Sequence, residues 1–306
     1  ISRWLLLHAT QPVPDDQTIA LARDALLAYE PAAQIGAGSN TNFGELNRNR
    51  PRVEALNYLC YALNPQVHAF DNRSLMENLA AQPDTVNSAQ QIGGRAICVG
   101  PVTLRPRFNP VATEPDDAAH PDDLPADVDP RQMALFGAAW TLGSLCYLAT
   151  SGAAGLTYYE TSGWRGVLET AVGSPLPERF RALPGTVFPL YHVLADVGEF
   201  KGGTVQPLES GAPRRCVGMA LNTNGRTRML LANLTAQTER VRLALIMAQC
   251  RTKLLDETTV LEAMRAPEEF RANAGEVVHT NENTVELILR PYAVARIDSL
   301  HPGDSA

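Results

Sequence analysis

Missing from this sequence are most of the devices by which a chain declares its chemistry. Its five cysteines (Cys60, Cys98, Cys146, Cys216, Cys250) show no CxxC spacing, and its six histidines are equally scattered. An odd, unpatterned set of thiols, several of them inside apolar segments, reads as buried and reduced, not as a disulfide frame or a zinc site. There is no G-x-S-x-G elbow, no Walker motif and no glycine-rich phosphate loop. Cys60, Cys98 and Cys146 lie in apolar surroundings that suppress thiolate formation, so serine and cysteine hydrolase chemistry finds no support. Basic clusters are absent too, and a net charge of −7 argues against a nucleic-acid partner. No apolar run approaches the roughly 18 to 20 residues needed to cross a bilayer. These absences leave an expectation of a cytoplasmic protein with no membrane partner. One reservation attaches to it: Ile1 runs straight into RWLLLHAT, so the natural N-terminus, with any signal peptide, is expected to precede it.

What is present is an ordinary globular composition, 45% hydrophobic and 19% charged over 306 residues, enough for one large domain or two smaller ones. Apolar runs and helical patterns alternate over the first two hundred residues. WLLLHAT reads as a strand, TIALARDALLAYE as a helix closed by Pro31, and QIGAG as a second strand. VEALNYLCYAL reads as a helix, NPQVHAFD as a third strand, SLMENLAAQPDTVNSAQQIGG as a helix, and RAICVGPVTLRPRF as the fourth strand. An acidic, proline-rich loop over 109–130, placed as a solvated lid, precedes the apolar helix RQMALFGAAWTLGSLCYLATSG. GLTYYETSGWRG is the fifth strand and VFPLYHVLADVGEF the last helix, with room for a sixth strand between Leu168 and Leu183.

From about Gly202 the rhythm changes to alternating runs separated by Asn-Gly and polar turns, the pattern of an antiparallel sheet. Strands alternating with helices imply a parallel sheet, and the polar tails all follow the C-terminal ends of their strands. The expected fold is therefore α/β: a (β/α)8 TIM-type barrel over 1–201, without its first two or so strands in this chain, followed by an antiparallel β-sandwich over 202–306.

The stretch QIGAGSNTNFGELNRNRP, Gln34 to Pro51, carries the chemistry in this scheme. A buried strand ends in Asn40, Asn42, Glu45, Asn47, Arg48 and Arg50, a density of amides and charges suited to the working end of a barrel strand. A second carboxylate, Glu160, ends the fifth strand. Two carboxyls in unlike environments can divide proton donation from attack or water activation. A salt bridge from Glu45 to Arg48 or Arg50 is the plain structural alternative. Expected substrate-binding partners are Asn40, Asn42, Asn47, His68, Arg105, Tyr158 and Trp164, with Asp71 and Arg107 beside them; a satisfied structural histidine at His68 and simple packing of the aromatic residues are the competing roles. No metal or cofactor is called for.

The layout resembles retaining glycosidases of the large (β/α)8 clan, in which an acid/base glutamate follows strand four and a nucleophile ends strand seven. If WLLLHA is strand three, Glu45 and Glu160 take those places, although Gly44 stands where the clan commonly has Asn. More specifically, SNTNFGELNRNRP, LNPQVHAFDNRSLMEN, VGPVTLRPRFNP and LTYYETSGWRG, in that order, resemble the D-apionate lactonase family. That resemblance implies a bacterial hydrolase of branched-pentose catabolism that opens D-apionolactone to D-apionate. The alternatives are a retaining glycosidase acting on a pentoside or uronide, and a non-catalytic carbohydrate-binding protein. A small-molecule sugar lactone or glycoside is the expected partner, and a homo-oligomer is compatible with the sequence.

Overall fold

Five parallel strands make up the first sheet of the computed structural model, which describes residues 1–107, 122–245 and 248–300. They are β1 (Arg3–Leu6), β2 (Gln34–Ser39), β3 (Tyr58–Leu63), β4 (Ala96–Val102) and β5 (Gly155–Tyr158), neighbours in that same order. Helices separate them in the chain: α1 (Asp16–Tyr29), α2 (Phe43–Arg48), α3 (Asn72–Glu77), α4 (Gln82–Gln90) and α5 (Leu135–Leu148), with α6 (Pro189–Gly198) after β5. Sequential parallel strands joined through helices are the repeating unit of a (β/α) barrel.

Packing divides the chain into two compact units. One holds Ile1–Phe70, Ala80–Val128 and Ser151–Tyr159; the other holds Asp71–Leu79, Asp129–Thr150 and Glu160–Ala306.

The first unit is built on the parallel sheet. β2 and β3 are buried almost throughout. Two glycines let these strands approach: a Cβ on Gly36 would fall 2.2 Å from the Tyr58 ring, and one on Gly38 would fall 1.7 Å from the Cys60 carbonyl oxygen. Asp15 caps α1 by accepting from the Thr18 amide at 2.7 Å, and Asn42 caps α2 by accepting from the Glu45 amide at 3.0 Å.

Two elements correct the sequence reading. YLCYAL is strand β3, not part of a helix, and NPQVHAFD is loop, not a strand. The cause is physical: a parallel strand buried on both faces is a continuous apolar run without period-two alternation, so it cannot be told from a short buried helix. The number of strands survives because the two errors cancel. The passage from Leu168 to Leu183 forms isolated bridges, Ser162 to Leu168 and Leu168 to Val187, instead of a sixth strand. Residues 109–121 of the expected acidic lid lie outside the described residues, and 122–129 form turns and irregular backbone.

The second unit centres on a six-stranded sheet ordered β11-β10-β13-β8-β7-β6, with a two-stranded sheet of β12 and β9. These are β6 (Thr204–Pro207), β7 (Cys216–Thr223), β8 (Arg226–Asn233), β9 (Glu239–Ala244), β10 (Gln249–Leu255), β11 (Glu276–His279), β12 (Thr284–Leu289) and β13 (Val294–Ser299). All their pairings are antiparallel. Asn224 and Gly225 turn β7 into β8 with φ of 47° and 80°, the left-handed pair that a two-residue hairpin needs. Ala220, Met229, Leu231, Val285, Leu287, Ala295 and Ile297 join the two sheets in one core. On the other face α5, apolar nearly all round, packs along β7, β8 and β13 and against α6. Two short helices, α7 (Val260–Arg265) and α8 (Pro267–Ala272), fall where the sequence reading assigned nothing.

Candidate active site

Where β2 leaves the sheet, Asn42 stops the strand and starts α2, and the first turn of that helix carries Glu45. Glu45 is 6% exposed. Arg48, one turn on, donates from Nη1 to its Oε1, and Asn49 Nδ2 donates to its Oε2 at 3.2 Å. Both carboxylate oxygens therefore accept. A Cβ on Gly44, the residue before it, would press to 3.0 Å on the capping oxygen of Asn42 and crowd the cap. The salt bridge to Arg48 that the sequence allowed is thus formed. It does not close the site, because Glu45 and Arg48 line a cavity of about 520 Å³.

The cavity is bounded by α2, the end of β3 and the loop after it. Phe43 and Tyr61 meet edge to face, with centroids 5.7 Å apart. The Tyr61 hydroxyl lies 2.7 Å from Thr85 Oγ1, and burial pushes the phenol well above its ordinary range. Asn64, Val67 and His68 line the opposite side. A carboxylate, an imidazole, an amide and an aromatic floor around open space suit a small polyhydroxylated ring, with the aromatic faces toward its C–H groups.

Of the first unit's expected residues, Asn42, Glu45 and His68 come together in this cavity. Asn40, at the end of β2, is half-buried and not among the lining residues. Asn47 sits on the exposed side of α2, where its Oδ1 accepts from Arg50 Nη2 at 2.7 Å. Arg105 stacks its guanidinium 5.6 Å from the Phe70 ring centroid. Tyr158 closes β5 against Tyr159, with centroids 5.9 Å apart.

Tyr159 itself takes a left-handed backbone, φ 52°, which is uncommon for a bulky residue and is held only where the surroundings demand it. In the second unit, Glu160 is half-buried; Arg165 lies 3.2 Å from its Oε1 and accepts its backbone N–H at 2.8 Å. Trp164 donates from Nε1 to Ser174 Oγ at 2.8 Å and leans on Phe180. Asp71 caps α3 by accepting from the Ser74 amide at 2.9 Å, a structural duty.

Sequence reasoning missed Tyr61, Asn64 and Thr85 as lining residues. Tyr61 and Asn64 were hidden by the misread strand β3: read with a strand's period, the run places both at the C-terminal end, where polar tails collect. Burial pushes the Cys60 thiol up to about 12 and that of Cys216 to about 11, consistent with inert core thiols. Among the described residues, no group of three or more His, Cys, Asp or Glu is placed to hold a metal, and no helix is long and apolar enough to cross a membrane.

Comparison with known proteins now bears on the parallel sheet and its loops. Residues 7–202 match the family model described as D-apionate lactonase, TIM barrel domain. The chain belongs to the D-apionate lactonase family. Residues 213–297 match the companion C-terminal immunoglobulin-like domain. D-apionate lactonase of Brucella anthropi is 27% identical over 233 residues, covering 76% of this chain and 36% of that protein. The chain thus spans about a third of the length of that curated relative.

Among solved structures, a 4-O-α-L-rhamnosyl-β-D-glucuronidase from Fusarium oxysporum superposes with a TM-score of 0.61 at 11% identity, covering 92% of this chain and 63% of that one. An α-L-arabinofuranosidase from Thermotoga maritima gives 0.57 at 8% identity, covering 92% and 61%. At such identities the likeness is one of fold. The parallel sheet is that of a TIM barrel, and the antiparallel sheets form the sandwich of an immunoglobulin-like domain.

Proposed function

We propose that this chain supplies the catalytic barrel of a hydrolase that opens a sugar-derived lactone, D-apionolactone, to its hydroxy acid, D-apionate. The observation that carries the reading is the cavity of about 520 Å³ holding Glu45, His68 and Asn42 at the C-terminal end of β2 and β3, within the span matched to the family's barrel.

A lactone is a cyclic ester with a sugar-like ring, so it needs hydroxyl-gripping groups, a base for water and a donor for the developing oxyanion. Glu45, with both oxygens held as acceptors, takes a proton from the attacking water as its oxygen bonds to the carbonyl carbon. The carbonyl oxygen becomes an oxyanion, and an N–H of His68 donates to it; one such donor contributes about 3 kcal/mol. When the tetrahedral carbon collapses, the ring C–O bond breaks and the proton on Glu45 passes to the departing alkoxide. Asn42 and Asn64, the amides that line the cavity, hold substrate hydroxyls. Glu160 is the second carboxylate of the scheme, orienting the attacking water by accepting its other hydrogen, with Arg105, Tyr158 and Trp164 as further substrate contacts. In this reading 1–201 is the catalytic portion and 202–306 the sandwich.

The test is turnover of D-apionolactone by Glu45→Gln and Glu160→Gln, followed by acid release. Loss of about 10²- to 10⁴-fold in kcat for Glu45→Gln is expected; near-normal turnover by both variants discards the two-carboxylate scheme.

A retaining glycosidase is the second reading, favoured by the fold shared with the glucuronidase and the arabinofuranosidase. Hydrolysis of an aryl pentoside or uronide with retained configuration, and no lactone opening, would establish it.

A further inference from the structure

Glu45 and Asn49 stand four residues apart in ELNRN, the spacing that brings side chains together on one face of a helix. α2 ends here because Pro51 drives the residue before it toward extended backbone, which leaves Asn49 as the C-cap. Its backbone N–H still completes the last turn, donating to the Glu45 carbonyl oxygen at 3.0 Å. The Asn49 side chain folds back over the same turn. Its Nδ2 donates to that carbonyl oxygen at 3.2 Å and to Glu45 Oε2 at 3.2 Å. Both partners are acceptors, so the NH2 end of the amide faces them, and each of its two hydrogens has one to meet. On the other side of the residue, Asn42 Oδ1 accepts the Glu45 N–H at 3.0 Å. Glu45 is therefore gripped by two amides, one at its N–H and the other at its carbonyl and its carboxylate together.

The charged and titratable groups nearby hold Glu45 less firmly. Arg48 reaches the other carboxylate oxygen with a side chain that is 69% exposed. Arg50 is turned away, donating from Nη2 to Asn47 Oδ1. His68, on the loop after β3, lines the same cavity. A solvated ion pair attracts but directs weakly. A two-point hydrogen bond from the residue that closes the helix ties the carboxylate plane to the backbone. An ionised carboxylate offers about four acceptor positions, so Arg48 and Asn49 leave others for the attacking water.

We propose that Asn49 is a positioning residue, which sets the orientation of the Glu45 carboxylate toward the water that it deprotonates. The inference rests on the reading of Glu45 as the base: Asn49 acts through Glu45 and touches no reacting atom. A neutral donor suits the duty, because a second cation would oppose proton uptake by the carboxylate.

The test compares wild type, Asn49→Ala, Asn49→Asp, Glu45→Gln and the double variant Glu45→Gln/Asn49→Ala. Each is assayed in the whole chain for lactone turnover against pH, with circular dichroism and a urea midpoint. Asn49→Ala is expected to lower kcat about 10- to 100-fold with KM within about twofold, a loss in the transition state and not in binding. Asn49→Asp keeps the shape but puts a like charge beside Glu45, so the acidic limb of its kcat/KM profile is expected to rise by about half a pH unit or more. In the Glu45→Gln background, Asn49→Ala is expected to cost no more than about twofold further, since no carboxylate is left to orient.

Unchanged kcat in folded Asn49→Ala, an unmoved acidic limb in Asn49→Asp, or a double variant whose losses multiply overturns the proposal. So does a loss in Asn49→Ala that vanishes when activity is counted per folded molecule. Those outcomes leave the lactonase reading standing. A wild type without lactone turnover, or a fully active Glu45→Gln, removes that reading first, and the positioning role goes with it.

Discussion

The charges around Glu45 and those around Arg228 come from the same residue types and end in opposite states. Arg228 is 0% exposed and spends its guanidinium on Asp298 at 2.7 Å, Glu199 at 2.6 Å and the Asp196 carbonyl at 3.2 Å. Arg271 and Arg296 close on the same carboxylates from other sides. Burial raises the Asp196 pKa even with three arginines opposing it. Glu199 is also penalised by burial, but its two arginines outweigh that and bring it down to about 2. Every group there is answered by another protein group, so the cluster can hold elements together but has nothing to offer a ligand. Glu45 is answered too, but by Arg48, whose side chain is 69% exposed, and both face open volume. Residue type does not separate charges that face open volume from charges closed in by partners; enclosure does.

Substitutions should separate the two regions cleanly. Glu45→Gln is expected to lower lactone turnover by about 10²- to 10⁴-fold while leaving the urea midpoint of unfolding unchanged. Arg228→Met is expected to do the reverse. Removing one partner from a buried charge group costs about 3–5 kcal/mol, read as a lower urea midpoint, while kcat per folded molecule stays the same. If Arg228→Met abolished turnover in protein shown to be folded, enclosure would fail as the criterion.

The same criterion explains what could be read from the sequence. Strand ends that turn polar point to loops, so Asn42, Glu45 and His68 were accessible from QIGAGSNTNFGELNRNRP and NPQVHAFD alone. Enclosure was not accessible, because it depends on partners distant in the chain: nothing in PLYHVLADVGEF shows that Asp196 and Glu199 meet Arg228 and Arg271. Strand β3 failed for a different reason, since six consecutive buried residues carry no period. Asn47 looked like its neighbours Asn40 and Asn42, yet one helical step turned it toward Arg50 and solvent.

His192 sharpens the comparison through pH. It is 3% exposed, with Nε2 2.9 Å from the Ala263 carbonyl oxygen, and burial, with smaller repulsion from Arg271 and Lys253, lowers its pKa to about 4. The unfolded imidazole titrates near 6.5 and the folded one near 4, so between those values the unfolded state binds the extra proton. Stability is therefore fully present above about 6.5 and falls by about 3 kcal/mol as pH drops to 4. Chemical denaturation across that window should show the slope, and His192→Phe should flatten it. A slope unchanged in that variant would move the acid sensitivity to the carboxylates around Arg228.

Smaller effects test the edge of the site. Arg48→Gln removes one holder of Glu45 and leaves Asn49; an exposed ion pair is worth about 1 kcal/mol or less, so a fall in kcat of roughly fivefold with unchanged KM is expected. Asn47→Ala is the smallest. Its side chain faces Arg50 on the solvent side of α2, so stability should change by no more than about 0.5 kcal/mol, and neither kcat nor KM should move. A tenfold rise in KM for that variant would mean that substrate reaches around α2. The cavity would then be only the inner part of the site, and the amides of Asn40, Asn42 and Asn47 would have to act as one surface.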